Sequence, residues 1–308
     1  NYEIVKVTLQ IGEALLYSEI AGGWRVLTSS GQVKEVSSEQ QAVDGFSIPF
    51  YKTGTAPEAA GQWYCYAKDA GFPGVWAPGT PGLNGRATDG LSAADAGCIC
   101  PADAGAGQFN YLTRFDTVQS VAGAAFLIDI LWVNSGLVVT TTTAQAIAAP
   151  IALPARDHNG TSDGLGVQIG ILVTTATTNA AAITNMTASY TDSNGNAGNT
   201  ATVASYPATA VIGTLVPFRL GAGDVGVRSV QSVTLGTSLV AGAVSLVLYR
   251  ILDMAGNPLA NAGQMTPGAA QNRGPGFKVY NRTCGILAGI ASATTATNLQ
   301  GLAGFALR

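Results

Sequence analysis

Gly160-Thr161-Ser162-Asp163-Gly164 has the G-x-S-x-G spacing of a nucleophile elbow, and the only histidine, His158, lies just upstream of that serine. An elbow works because a sharp strand-to-helix turn exposes the serine hydroxyl to a histidine base. The flanks here are Leu153-Pro154-Ala155-Arg156-Asp157 and an alternating run from Val167, and neither is helical. The pattern therefore predicts a turn, with a hydrolase using Ser162 and His158 kept as an alternative. Gly221-Ala222-Gly223-Asp224-Val225-Gly226 spells the dinucleotide fingerprint, whose chemistry needs a helix N-terminus directly after it to hold the pyrophosphate. The next residues, Val227-Arg228-Ser229-Val230-Gln231-Ser232-Val233, alternate like a strand, so this too is a turn and no cofactor is expected.

Metal chemistry is equally poorly supplied. Asp192, Asn194 and Asn196 imitate the opening of an EF-hand loop, but Ala197 stands where the glycine belongs and Val203 where the closing acid belongs. The Asn194-Gly195 step inside it is a hairpin signal. Cys98-Ile99-Cys100 has no matching second pair, and with one histidine no zinc set can be assembled, so no metal is expected. The four cysteines, Cys65, Cys98, Cys100 and Cys284, read either as free buried thiols or as a bridge from Cys65 to Cys98 or Cys100 formed after leaving a reducing cytoplasm. Paired carboxylates for glycoside chemistry would have to come from scattered aspartates. Asp129 sits inside the most hydrophobic run, so it is either protonated or paired with Arg114, Arg219, Arg228 or Arg250; an ion pair is the better reading. No catalytic residue is assigned.

The elements that position these residues follow from composition. Of 308 residues, 47% are hydrophobic and only 11% charged, against about 25% charged in ordinary soluble domains. A surface this poor in charge is tolerated where other subunits cover it, because interface cores are depleted in charge. The net charge of −3 has no basic run behind it, which argues against nucleic acid as a partner. All six glutamates fall at or before Glu58, and the only lysine after Lys68 is Lys278. Strong surface-helix formers are thus missing from most of the chain, and Thr, Val, Ile, Asn and Gly supply strand and turn chemistry instead. The uncharged stretches 130–155, 164–191 and 283–307 are broken by Thr, Asn, Gln, Gly or Pro and do not read as membrane helices. Asn1-Tyr2-Glu3 has neither a basic nor an apolar leader segment, so no signal peptide is expected.

The expected class is all-β, with a β-sandwich or jelly-roll-like central domain. Residues 1–108 form an N-terminal β or extended region, with short strands such as Ile4–Leu9 and a brief helix over Ser37–Ala42. Its Gly/Pro-rich stretch, roughly 71–108, reads as an arm docking on a neighbour. Residues 109–256 carry the strands: Phe126–Val133 buried on both faces, alternating runs at Val167–Val173 and Met186–Thr191, a proline-bearing edge at Val216–Leu220, and Val227–Leu235 with Ala243–Arg250. Residues 257–308 read as a C-terminal extension ordered by its contacts, with a strand near Phe277–Tyr280. Trp63, Phe72 and Trp76 are the expected interface anchors, since aromatics dominate interface energetics.

Leu131–Gly136, Leu153-Pro154-Ala155-Arg156-Asp157 with Asn159-Gly160, Ser189–Gly195, Ala222–Ser232 and Leu248-Tyr249-Arg250 together resemble structural virion proteins of tailed bacteriophages. The resemblance spans about half the chain and brings no active-site residues. It implies a virion component that cements or decorates the capsid or head–tail region, partnered by copies of itself and by major capsid or other virion proteins, as a homo-oligomer. A receptor- or glycan-binding module of a phage fibre is the alternative it leaves open. Neither nucleic acid nor membrane is an expected partner.

Overall fold

The structure is a computed structural model that describes residues 14–18, 23–27, 33–35, 46–55, 57–147, 152–267 and 277–307. The expected strand over Ile4–Leu9 and helix over Ser37–Ala42 lie outside the described residues. The chain divides into a unit of residues 1–46 and a body of residues 47–308. In the first unit β1 (Ala14–Ser18), β2 (Gly23–Leu27) and β3 (Val33–Glu35) form an antiparallel sheet in that order.

The body is all-β, as the composition requires. Its strands are β4 (Phe46–Thr53), β5 (Trp63–Cys65), β6 (Ala70–Phe72), β7 (Arg86–Ala87), β8 (Asn110–Gln119), β9 (Gly123–Asn134) and β10 (Ala144–Ala146). They continue with β11 (Gln168–Thr175), β12 (Thr187–Asp192), β13 (Asn199–Val203), β14 (Thr214–Arg219), β15 (Val227–Thr234) and β16 (Ala243–Asn257). The last four are β17 (Gln264–Pro267), β18 (Phe277–Val279), β19 (Gly285–Ala291) and β20 (Leu299–Leu307).

At the centre β5, β14, β11, β16, β9 and β19 pair antiparallel in a closed ring, with β5 bonded to β14 on one side and β19 on the other. Closure removes sheet edges. The ring encloses one apolar cluster, with Cys65, Leu215, Leu172, Val247, Ile128 and Ile286 each contributed by a different strand. Strands β10, β15, β12 and β13 continue the sheet beyond β14. A second core joins them to the barrel's outer face through Met186, Tyr190 and Val230 against Leu131, Ile171 and Leu246. A separate sheet, ordered β17-β8-β20-β4-β6 with β18 also on β8, shares a third core with the barrel. There Phe50, Phe115 and Phe305 meet Leu127, Leu252 and Leu287.

The near-continuous hydrophobic run expected at Phe126–Val133 is buried on both faces, because β9 lines the barrel with alternate residues and feeds the two outer cores with the others. The expected C-terminal extension is not an extension. β19 is a barrel stave, and β20 pairs with the full length of β8, Leu299 opposite Gln119 through Leu307 opposite Asn110. Small residues are what this segment needs: a Cβ at Gly301 would come within 1.8 Å of the Asp116 carbonyl oxygen, and one at Gly304 within 2.6 Å of the Arg114 side chain. The Gly/Pro-rich stretch is likewise stitched into its own body, with β7 pairing Arg86 to Val133 and Ile99 bridging to Gly285. Removing residues 285–308 should therefore abolish the cooperative thermal transition measured by circular dichroism. A detachable extension would leave the melting curve almost unchanged.

Candidate functional site

The chemical-looking motifs resolve into turns. Ser162 and His158 are both exposed on the loop between Leu153 and Val167, with no hydrogen bond between them. The loop is organised instead by buried Asp157, which accepts from the amides of Asn159 (2.9 Å), Thr161 (2.7 Å), Gly164 (3.0 Å) and Leu165 (3.2 Å) and from the Thr161 hydroxyl (2.7 Å). Burial alone would push this carboxyl up, but the donated hydrogen bonds together hold it below the usual value. Gly164 has φ of +86°, and a Cβ there would lie 2.0 Å from the Val227 carbonyl oxygen, so the second glycine of the elbow-like string serves a close backbone approach. Gly221–Gly226 is a turn running into β15, with the Gly221 amide donating to the Tyr190 hydroxyl at 2.8 Å and that hydroxyl donating to Asp224. The Asp192–Asn196 hairpin folds round its own aspartate, which accepts from the Asn194 and Asn196 amides at 2.9 and 2.8 Å.

The expected anchors separate. Trp76 is completely buried in its own subunit, in the barrel's interior cluster, and its Nε1 donates to Asp95 at 2.9 Å. It is therefore a core residue and not an intersubunit anchor. Asp95 is the hub of this stretch: it takes a two-pronged bond from Arg86 (2.7 and 2.8 Å) and accepts from the Asp89 amide at 2.8 Å. Trp63 is half-buried and stacks on Phe126, with centroids 4.2 Å apart. Phe72 alone of the three is exposed, at 56%. Neither reading of the cysteines, four free thiols or a bridge from Cys65, holds in full. Cys98 is bonded to Cys284, while Cys65 is a free thiol sealed inside the barrel and Cys100 is free. The β5 stave holds Cys65 inside the ring, whereas the Ile99–Gly285 bridge brings Cys98 to Cys284.

Asp129 is paired, as its place in a hydrophobic strand demanded, but with two arginines. On β9 its neighbours on the same face, Leu127 and Leu131, belong to the two different outer cores, so Asp129 lies on the seam between them. It is fully buried and stands opposite Arg250 in register, 3.5 Å from Nε, with Arg156 3.4 Å away. The Cys284 amide donates to it at 3.0 Å. Arg156 in turn donates to the carbonyls of Thr88 (3.0 Å), Ile130 (3.1 Å) and Arg282 and to the Thr88 hydroxyl (2.8 Å). Burial pulls the Arg250 guanidinium down from its usual pKa, with Asp129 opposing. Arg250 was among the expected partners. Arg156 was not, although the Leu153–Gly160 string carried it; a loop arginine gives no periodicity by which to place it. Of the other expected partners, Arg114 pairs with Asp116 and Arg228 with Asp163.

A further buried carboxylate fastens the segment before β5. Glu58 accepts from the Thr297 amide at 3.1 Å and the Tyr66 hydroxyl at 3.5 Å. Burial pushes its carboxyl up to about 7; the Thr297 contact opposes this and the charge of Asp69 adds to it.

The surface feature that stands out is the edge of the smaller sheet at β6, which among the described residues pairs only with β4. On β6 every residue is exposed, and Phe72 lies directly opposite Tyr51, itself 44% exposed, with Val75 at 47% just beyond. Opposed side chains on paired strands lie about 4.5–5.5 Å apart at Cβ, so the rings form one aromatic patch. Lys52, next to Tyr51, points inward and is buried. Its ammonium donates to the carbonyls of Asp69 (3.2 Å) and Gly74 (2.9 Å), which pins both ends of β6.

No protein-family model matches the chain, and no curated protein matches it. Among solved structures it aligns with the VP2 subviral particle of infectious bursal disease virus at 13% identity, over 93% of this chain and 73% of that one, with a TM-score of 0.15. The structure of the Gt strain of the same virus aligns at 11% identity over 93% and 72%, with a TM-score of 0.14. The likeness is weak in both sequence and backbone.

Removing one partner of a buried ion cluster costs about 3–5 kcal/mol, while an exposed pair contributes at most about 1 kcal/mol. Asp129→Asn should therefore lower the denaturant midpoint sharply, and Asp163→Asn, which breaks the exposed pair to Arg228, should barely move it. Glu58 makes a second test. Its folded pKa, about 7, lies above the ordinary 4.5, so the folded state holds this proton more tightly. The stabilisation is full below pH 4.5 and is lost as pH rises to about 7, a fall of about 3 kcal/mol at 1.36 kcal/mol per pH unit. The difference in unfolding free energy between wild type and Glu58→Gln should show that slope.

Proposed function

We propose that this protein is a non-catalytic structural subunit of a virus particle, of the tailed-bacteriophage kind its sequence resembles, and that it cements or decorates the capsid or head–tail region. The observation that carries the reading is the rigid aromatic edge formed by Tyr51, Phe72 and Val75. An exposed strand edge invites pairing with other chains and is usually blunted by charge or cover. Here Lys52, next to Tyr51, and Asp69, just before β6, are both buried, so the described edge presents two rings and an isopropyl group to whatever meets it. Its backbone is already held, which lowers the ordering cost of binding.

The composition supports the same reading. A chain with 11% charged residues has little surface repulsion to keep copies apart. A partner built of repeated capsid subunits multiplies a modest contact by its copy number. The partners on this reading are other copies of the chain and the major capsid or other virion proteins.

The test is co-sedimentation of the purified protein with capsids of its own phage. Replacing both Tyr51 and Phe72 with Ala should reduce capture at least tenfold, since aromatic anchors carry about 2 kcal/mol or more each. The melting temperature should stay nearly constant, because exposed substitutions cost about 0.5 kcal/mol or less. Undiminished capture by the double variant would remove the edge from the interface, and failure of the wild type to bind any particle would remove the proposal.

A further inference from the structure

Cys98 and Cys284 are 186 residues apart in sequence, yet they are the pair that is bonded, with Cα atoms 5.1 Å apart. In an unfolded chain Cys98 meets Cys65 and Cys100 more often than Cys284, because the entropy of closing a loop grows with its length. The fold reverses that order. It encloses Cys65 inside the barrel and seats the Cys100 sulfur on the Pro101 carbonyl at 3.4 Å, and both stay free. Burial, then the charges of Asp103, Asp129 and Asp89, push the Cys100 thiol up to about 12 against Arg156. A thiol so rarely ionised at neutral pH competes poorly for a disulfide.

The other bonds between the two segments are non-covalent, and they place both cysteines without help from sulfur. Ile99 and Gly285 exchange two amide hydrogen bonds, at 2.7 and 3.0 Å. The Gly90 amide donates to the Arg282 carbonyl at 3.0 Å, and the Arg282 side chain donates to Asp103 at 2.7 Å and Asp89 at 3.1 Å. The Ala104 amide donates to the Asn281 side chain at 2.9 Å, which donates back to the Ala104 carbonyl at 3.1 Å. The Cys284 amide rests on Asp129, and β19 is paired to β5 and β9 through its main chain. Contacts that no reductant touches therefore flank the sulfur bridge on both sides.

We propose that the Cys98–Cys284 bond is a redox-set lock that closes on an already folded chain: the subunit folds as a dithiol in reducing surroundings and is hardened when it meets a small-molecule disulfide. Cys98 is half-buried and Cys284 fully buried, so Cys98 takes the first step. Its thiolate attacks one sulfur of the small disulfide, and half of that molecule leaves as a thiolate. The Cys284 thiolate then attacks the Cys98 Sγ of the mixed disulfide, and the other half leaves. Two protein thiols are oxidised, one small disulfide is reduced, and the two protons pass to the departing thiolates. The closed cross-link spans 186 residues, so it restricts the unfolded chain far more than the folded one. The lock belongs to the subunit alone and does not depend on the virion reading.

The test uses the full-length protein, produced in a reducing cytoplasm and purified without air in dithiothreitol. Alkylation in denaturant should count four thiols. Circular dichroism should show the strand spectrum of the oxidised protein, with a cooperative melt at least about 5 °C lower. Glutathione disulfide should then bring the count to two, leave Cys65 and Cys100 as the alkylated residues in peptide mass maps, and restore the higher melting temperature. The folded dithiol should form this bond at least about tenfold faster than the same protein in denaturant, where the cysteines pair in mixture. A reduced protein with no cooperative melt would overturn the proposal, because the bond would then be part of folding itself. A bond already present under reductant would overturn it equally, and so would a folded dithiol that keeps four thiols, pairs other cysteines, oxidises no faster than the unfolded chain or melts at the oxidised temperature.

Discussion

One carboxylate between two guanidinium groups holds the seam of this molecule. Asp129, Arg156 and Arg250 are all buried, and removing such charges from water costs several kcal/mol per ion before any attraction is counted. The cost is offset because nearly every donor finds an acceptor: Asp129 takes the Cys284 amide, and Arg156 spreads over three carbonyls and a hydroxyl. Those acceptors come from segments far apart in sequence, near Thr88, Ile130 and Arg282. The cluster therefore dictates which loop lies where, which a purely apolar seam would leave to packing alone.

The rest of the architecture follows from that seam. On one side of it the barrel packs against β12, β13 and β15, and on the other against the smaller sheet. The disulfide from Cys98 to Cys284 and the Asp95 hub fasten the irregular stretch to the same region. A chain with this much Gly and Pro is thereby given a rigid surface, and the aromatic edge at Tyr51 and Phe72 stands on a fixed base.

Strand chemistry was legible from residue types: the loss of Glu and Lys after Lys68, the apolar run in β9 and the Asn194-Gly195 turn all led to structure of the expected kind. Closure of the barrel was not. Its closing stave, Trp63–Cys65, is three residues long, too short for alternation to register, and lies far in sequence from its partners β14 and β19. Small uncharged residues in 257–308 suggested an extension ordered by its contacts, whereas in 285–307 they permit close strand approach within the body. Trp76 suggested an anchor because aromatics dominate interface energetics; its partners, Asp95 and the barrel interior, are supplied by tertiary structure. Asp129 showed its need for a cation through its setting, yet sequence spacing did not reveal the second arginine, which comes from a loop.

Native-state hydrogen exchange tests most directly whether the charge cluster and its attached loops form one body with the barrel. The amides of Cys284, Trp76 and Ile99 donate to Asp129, Ala67 and Gly285 respectively, across the junctions in question. If the account holds, they exchange only through global unfolding, with the same free energy as the amides of β9 and β16. Exchange of Trp76 and Ile99 by low-energy local opening, while β9 stays protected, would show that the stretch is a separate arm and would contradict it.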